Sequence, residues 1–266
     1  MSIGMQCLLL LIVMVIIMTL GWRWQKRRSN AGIVDVLWSI GVGLGAVLMA
    51  LMSDGAALPR SLGAVFGAAW AARLALHLWR RVSHEHEDGR YRQLRRHWRG
   101  NQTKFFLFFQ FQAALVVLFS LPFAAVARNP TSQITPALFV GAVIWAIAIL
   151  GETVADRQLT RFRQNPAHSG KTCREGLWRY SRHPNYFFEW LHWFAYVALA
   201  WGSSLAWLAW SGPIVMYIFL RWISGITFTE AQAVRHRGDD YREYQRTTSM
   251  LIPWFPKSTT SDKGLT

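Results

Sequence analysis

Cysteine is almost missing: the 266 residues hold two, Cys7 and Cys173, with no CxxC pair and no spacing that suits zinc. A disulfide scaffold and a structural metal site are thereby excluded. Acids are scarce too, 14 Asp+Glu against 29 Lys+Arg, and charged residues reach only 16%; soluble domains usually carry about a quarter. There is no Walker motif, no GxGxxG and no Ser-His-Asp order, so neither a P-loop nor a Rossmann-type site is expected. What is abundant is apolar. The chain is 52% hydrophobic with 15 Trp, gathered into blocks, and disorder needs the opposite composition. A net charge of +15 would suit nucleic acid if it formed a basic face on a soluble fold, but the basic residues punctuate apolar runs. No nucleic-acid partner is expected. The composition is that of an all-α integral membrane protein with basic loops.

A helix crossing the hydrocarbon core needs about 20 mostly apolar residues. Seven stretches qualify: Ile3–Leu20, Ile33–Met52, Ser61–Trp79, Phe105–Val126, Ile134–Ala155, Tyr186–Trp201 and Leu205–Ile226. The first is no signal peptide, because its basic cluster (Arg23, Lys26, Arg27, Arg28) follows the apolar run. Alternate connections and the tail carry four, eight, seven and six Lys/Arg, whereas the remaining three carry one, one and none. The positive-inside rule then puts the N-terminus outside and the C-terminus in the cytoplasm. The expected layout is one polytopic domain over residues 1–256, multi-pass in a bacterial inner membrane and in contact with its lipids, followed by a flexible tail at 257–266.

Ionisable residues inside spans are expensive and default to functional candidates. Asp35 opens span two, Arg73 and His77 lie four apart in span three, Glu152 and Asp156 end span five, and Glu189 and His192 begin span six. The densest signal runs from Gly176 to Trp190. Pro184 sets a helix entry, and Arg179, Arg182 and His183 gather just before its unpaired N–H groups, an arrangement suited to a phosphate-bearing cofactor. Binding of anionic lipid is the alternative reading of the same arginines. Two further clusters mix Arg, Tyr and acids: Glu87–Arg96, and Thr229-Glu230 with Asp240–Arg246.

These residues carry a resemblance. Arg-His-Pro-Asn-Tyr-x-x-Glu at 182–189 resembles the signature shared by membrane sterol reductases, steroid 5α-reductases and isoprenylcysteine carboxyl methyltransferases. With Val-Asp-x-x-Trp at 34–38, Glu-Asp-x-Arg-Tyr at 87–91 and the tail ending in Ile252-Pro253-Trp254, the chain resembles the DUF1295 branch, which is steroid 5α-reductase-like. The likeness runs from about residue 33 to 257, with a steroid-reductase C-terminal-like region at about 105–257.

The resemblance implies bound NADPH, held by Asp156, Arg163, Tyr180, Asn185 and Glu189, with Tyr241 and Arg246 in the region that closes over it; Arg182 and His183 join this set as the basic groups before the Pro184 helix entry. It also implies a substrate carbonyl polarised by an acid on span two and a Tyr on span three. Asp35 and Trp70 stand nearest to those positions, and Glu189 is a further catalytic candidate. The implied activity is an oxidoreductase acting on CH–CH groups, reducing the activated C=C bond of a lipophilic, steroid-like enone. The alternative is an S-adenosylmethionine-dependent methyltransferase of the isoprenylcysteine type; Phe187-Phe188 after the signature and Thr229-Glu230 in the tail favour the reductase.

Overall fold

The computed structural model describes residues 1–223 and 225–257; the expected tail lies outside them from residue 258 onward. No strand occurs among the described residues. The helices are α1 (Ile3–Arg28), α2 (Ile33–Leu51), α3 (Ala57–His84), α4 (Gly89–His97), α5 (Gln102–Val126), α6 (Pro136–Gln164), α7 (Pro184–Leu199), α8 (Ser211–Ile218), α9 (Ile226–Arg237) and α10 (Asp239–Thr247). Among the described residues, six helical stretches are long and apolar enough to cross a membrane: α1, α2, α3, α5, α6 and Ala206–Arg237, which contains α8 and α9. This is the layout of a multi-pass membrane protein. The stretch expected at Tyr186–Trp201 falls on α7, whose 16 residues rise only about 24 Å.

Local chemistry explains the ends. Ser2 caps α1 through Met5 N–H, while Lys26, Arg27 and Arg28 close its last turn against the dipole. Asp88 caps α4 by accepting from Arg90 N–H, and Asn101 caps α5 by accepting from Thr103 and Lys104 N–H. The polarity of α1 is inverted relative to a water-soluble helix. Its buried stripe is Gln6, Leu10, Met14, Met18, Gly21 and Gln25, whereas Leu8, Ile12, Ile16 and Leu20 are exposed. A helix in lipid buries its polar groups against protein and turns its leucines outward, because hydrocarbon offers no hydrogen bonds.

The described residues form two compact units. One comprises Met1–Ala142 and Tyr196–Gly212, the other Val143–Ala195 and Pro213 onward. In the first unit α2 packs closely on α3 through small residues. A Cβ at Gly43 would stand 2.5 Å from the Ala71 methyl, so only glycine permits that approach. Asn129, fully buried, donates to the carbonyls of Leu199 and Trp201, both at 2.9 Å, and fastens the end of α7 beside the α5–α6 connection. In the second unit the loop before α7 is stitched to the C-terminal segment. Arg182 N–H donates to Ser249 O at 2.8 Å, Ser181 Oγ to Leu251 O at 2.8 Å, and Trp254 N–H to Tyr180 O at 2.9 Å.

Candidate functional site

Two polar clusters hold the candidates, one in each unit. In the first unit Asp35 stands in the opening turn of α2. Its Oδ1 accepts from the Tyr91 hydroxyl at 2.6 Å and its Oδ2 from Arg90 Nη2 at 2.7 Å, and Arg90 also donates to the Tyr91 oxygen at 2.9 Å. The guanidinium lies over the Tyr91 ring at 4.6 Å. Tyr91 is 2% exposed while the Asp35 side chain is 33% exposed. Burial, with the Asp35 carboxylate beside it, pushes the phenol well above its ordinary pKa. Glu87 braces this corner. It accepts from Ala31 N–H at 2.8 Å and takes Arg95 bidentately at 2.7 and 3.0 Å, and Arg95 reaches back to Gln25 at 3.2 Å.

Both Asp35 oxygens thus accept hydrogen bonds, from Arg90 and Tyr91. Trp70 has no exposed surface and packs edge-on to Trp38 at 6.0 Å, so it belongs to the core between helices. The hydroxyl beside Asp35 belongs to Tyr91, which lies on α4 and not on span three. The Glu-Asp-x-Arg-Tyr motif carried the signal, because Asp88 at the N-cap starts a helix that puts Tyr91 in its first turn.

The second unit carries the candidates of α6 and α7. Residues four or seven apart share a helix face, which groups Glu152, Asp156 and Arg163 on α6, and Asn185 and Glu189 on α7. The two helices meet where Asn185 Nδ2 donates to Asp156 Oδ1 at 3.3 Å. Asn185 Oδ1 is buried and has no hydrogen-bond partner among the described residues. Such an acceptor calls for a donor from elsewhere. Glu189 is 9% exposed, and the carbonyl of Glu189 lies 3.3 Å from His192 Nδ1. Gly176 permits the approach of the preceding loop: its φ is +56°, and a Cβ there would collide with Gln158, whose Oε1 accepts Leu177 N–H at 2.9 Å.

The arginine-rich loop does something other than expected. Arg182 Nε donates to Glu230 Oε1 at 2.7 Å, and its Nη1 to the carbonyls of Gln245 and Thr248 at 2.9 and 2.6 Å. The Arg182 side chain is 10% exposed. His183 Nε2 donates to the same Glu230 oxygen at 3.2 Å, and Gln245 Nε2 donates to the other oxygen at 2.8 Å. Burial lowers the His183 pKa, against the opposing pull of Glu230. Arg182 and His183 are therefore ties that hold α9 and α10 to the loop. Tyr241 is likewise buried, edge-on to Tyr244 at 5.8 Å. Tyr180, Arg163 and Arg246 are exposed. Glu230, which sequence spacing did not single out as a site residue, is the hub of this clamp.

Both clusters fall inside one match. The family model described as "Protein of unknown function (DUF1295)" covers residues 21–248. The chain belongs to the DUF1295 family. Neither a curated protein nor a solved structure matches it. The DUF1295 match takes in Asp35 and Tyr91 as well as Asp156, Asn185 and Glu230.

Proposed function

We propose that this DUF1295 protein is an NADPH-dependent membrane reductase of an activated C=C bond in a lipophilic enone. The observation that carries the reading is the Tyr91 hydroxyl, held 2.6 Å from Asp35 and 2.9 Å from Arg90 in a buried corner. The resemblance implies an acid on span two and a tyrosine on span three for polarising a carbonyl; here the tyrosine beside the span-two acid comes from α4 instead. Asp35 acts as the acceptor that orients the phenol, Arg90 donates to both the carboxylate and the phenol oxygen, and Tyr91 is the hydroxyl that turns to the substrate oxygen.

The residues of the second unit fit a dinucleotide in part. Asn185 Oδ1 is an orphaned buried acceptor, and Asp156, Asn185 and Glu189 supply a polar face of the kind an amide- and hydroxyl-bearing cofactor needs. Arg163, the arginine that the resemblance sets beside the cofactor, is exposed at the end of α6. When bound, NADPH supplies the hydride; the protein's part is to hold it, exclude water and provide the balancing proton.

A seven-span topology, with the N-terminus outside and the C-terminus in the cytoplasm of a bacterial inner membrane, accompanies this reading. Two observations support it. The basic residues alternate by connection, and Ser181 and Arg182 bond directly to residues 248–251. Segments bonded to each other lie on one side, so the chain between them crosses an even number of times. If Ala206–Arg237 crosses, α7 crosses with it, its short length extended by Ala200 and Trp201. Buried Glu189, His192 and Trp193 are tolerable in such a helix because protein surrounds them.

The deciding experiment titrates purified protein with NADPH and, separately, with S-adenosylmethionine while following the melting temperature. Stabilisation by NADPH alone supports the reductase, since a ligand that binds only the folded state must stabilise it. Stabilisation by S-adenosylmethionine alone replaces it with a methyltransferase.

A further inference from the structure

The last described segment combines a pinned backbone with unburied aromatic side chains. Its main chain is fastened at Ser249, Leu251, Trp254 and Lys257 by bonds to Arg182, Ser181, Tyr180 and Thr247, all at 2.8 to 2.9 Å. Yet Ile252 is 56%, Trp254 71% and Phe255 76% exposed. Nothing local forces this display, because a frayed tail would carry no such bonds and a core segment would bury its rings. Phe255 stands edge-on to Tyr180 at 6.0 Å, and the neighbouring Arg246 and Lys257 are exposed cations.

We infer that Ile252–Phe255 is an interfacial anchor, its aromatic side chains seated at the headgroup level of the bilayer that holds the protein. Two features of the chain select lipid as the occupant. Trp254 is bonded to Tyr180, four residues before α7 begins at Pro184, so the segment is tied to the point where an apolar helix starts. Rigid aromatics flanked by Lys and Arg also match the chemistry of the membrane interface, where rings enter the acyl boundary and cations meet anionic headgroups. The inference does not depend on the reductase reading. The anchor would hold the C-terminal helices against the membrane through the Arg182–Glu230 clamp.

The test uses the full chain in proteoliposomes containing anionic lipid, on a Cys7→Ala, Cys173→Ala background. Single substitutions Phe255→Cys, Ile252→Cys and Asp239→Cys are each labelled with an environment-sensitive fluorophore; the Asp239 side chain, 93% exposed, reports water. At 255 and 252, lipids brominated near the headgroup end of their chains should quench strongly, and iodide should quench several-fold less than at 239. Iodide quenching equal to that at 239 overturns the inference. Protection from both quenchers also overturns it, because protein rather than lipid would then cover the segment.

Discussion

Replacing Asn185 by Ala separates a cofactor ligand from a structural residue. The side chain makes one long hydrogen bond, Nδ2 to Asp156 Oδ1 at 3.3 Å, and leaves Oδ1 buried without a partner. Losing the bond costs about 0.5–1 kcal/mol, while removing an unsatisfied buried acceptor returns a similar amount. The apo protein should therefore keep its stability to within about 1 kcal/mol. Binding should behave differently. If Oδ1 accepts from bound NADPH, its loss costs about 1–3 kcal/mol, or roughly ten- to hundredfold in affinity. With NADPH at one hundred times the wild-type Kd, stabilisation is about 2.7 kcal/mol, and a hundredfold weaker site leaves about 0.4 kcal/mol. At about 2–4 °C per kcal/mol, a melting shift of about 5–10 °C shrinks to 1–2 °C. The assay is thermal denaturation in detergent with and without NADPH. An unchanged NADPH shift refutes the assignment. So does a large loss of apo stability, which would make Asn185 a structural residue.

Other predictions address the remaining parts. Tyr91→Phe and Asp35→Asn should keep the NADPH shift but lose about 10²–10⁴-fold in turnover of an accepted enone, whereas Trp70→Phe should change turnover far less; wild-type rates in Tyr91→Phe would remove the phenol from the chemistry. Glu230→Ala leaves the nearly buried Arg182 without its carboxylate and should destabilise the protein by about 3–5 kcal/mol, read by denaturation, with Glu230→Gln milder. Burial holds the His183 pKa below its ordinary 6.5, so the unfolded chain takes up the proton first. Its contribution to stability is complete above about pH 6.5 and falls as pH drops through the folded pKa; His183→Gln should flatten that part of the melting-temperature profile. A reporter active only outside the cytoplasm should stay silent when fused after Thr266 and be active when inserted at Gly202; activity after Thr266 would overturn the topology.

Much of this organisation is legible in the sequence because it rests on short-range rules and on the solvent. Apolar runs of membrane length give the helices, charge alternation gives the topological expectation, and spacings of four and seven put Asp156 with Arg163 and Asn185 with Glu189. Those relations hold within a single helix, where rise and turn are fixed. What the tertiary structure decided is which donors remain available. Arg182 and His183 look poised for phosphate until Glu230, about fifty residues further along, takes them. Trp70 occupies the expected position on span three until packing buries it, and Tyr91 reaches Asp35 across 56 residues of chain. A side chain's type and spacing set the face it shares, but its free hydrogen-bonding capacity depends on neighbours brought from distant segments. Periodicity contains no information about that pairing, so it was decided only when the helices packed.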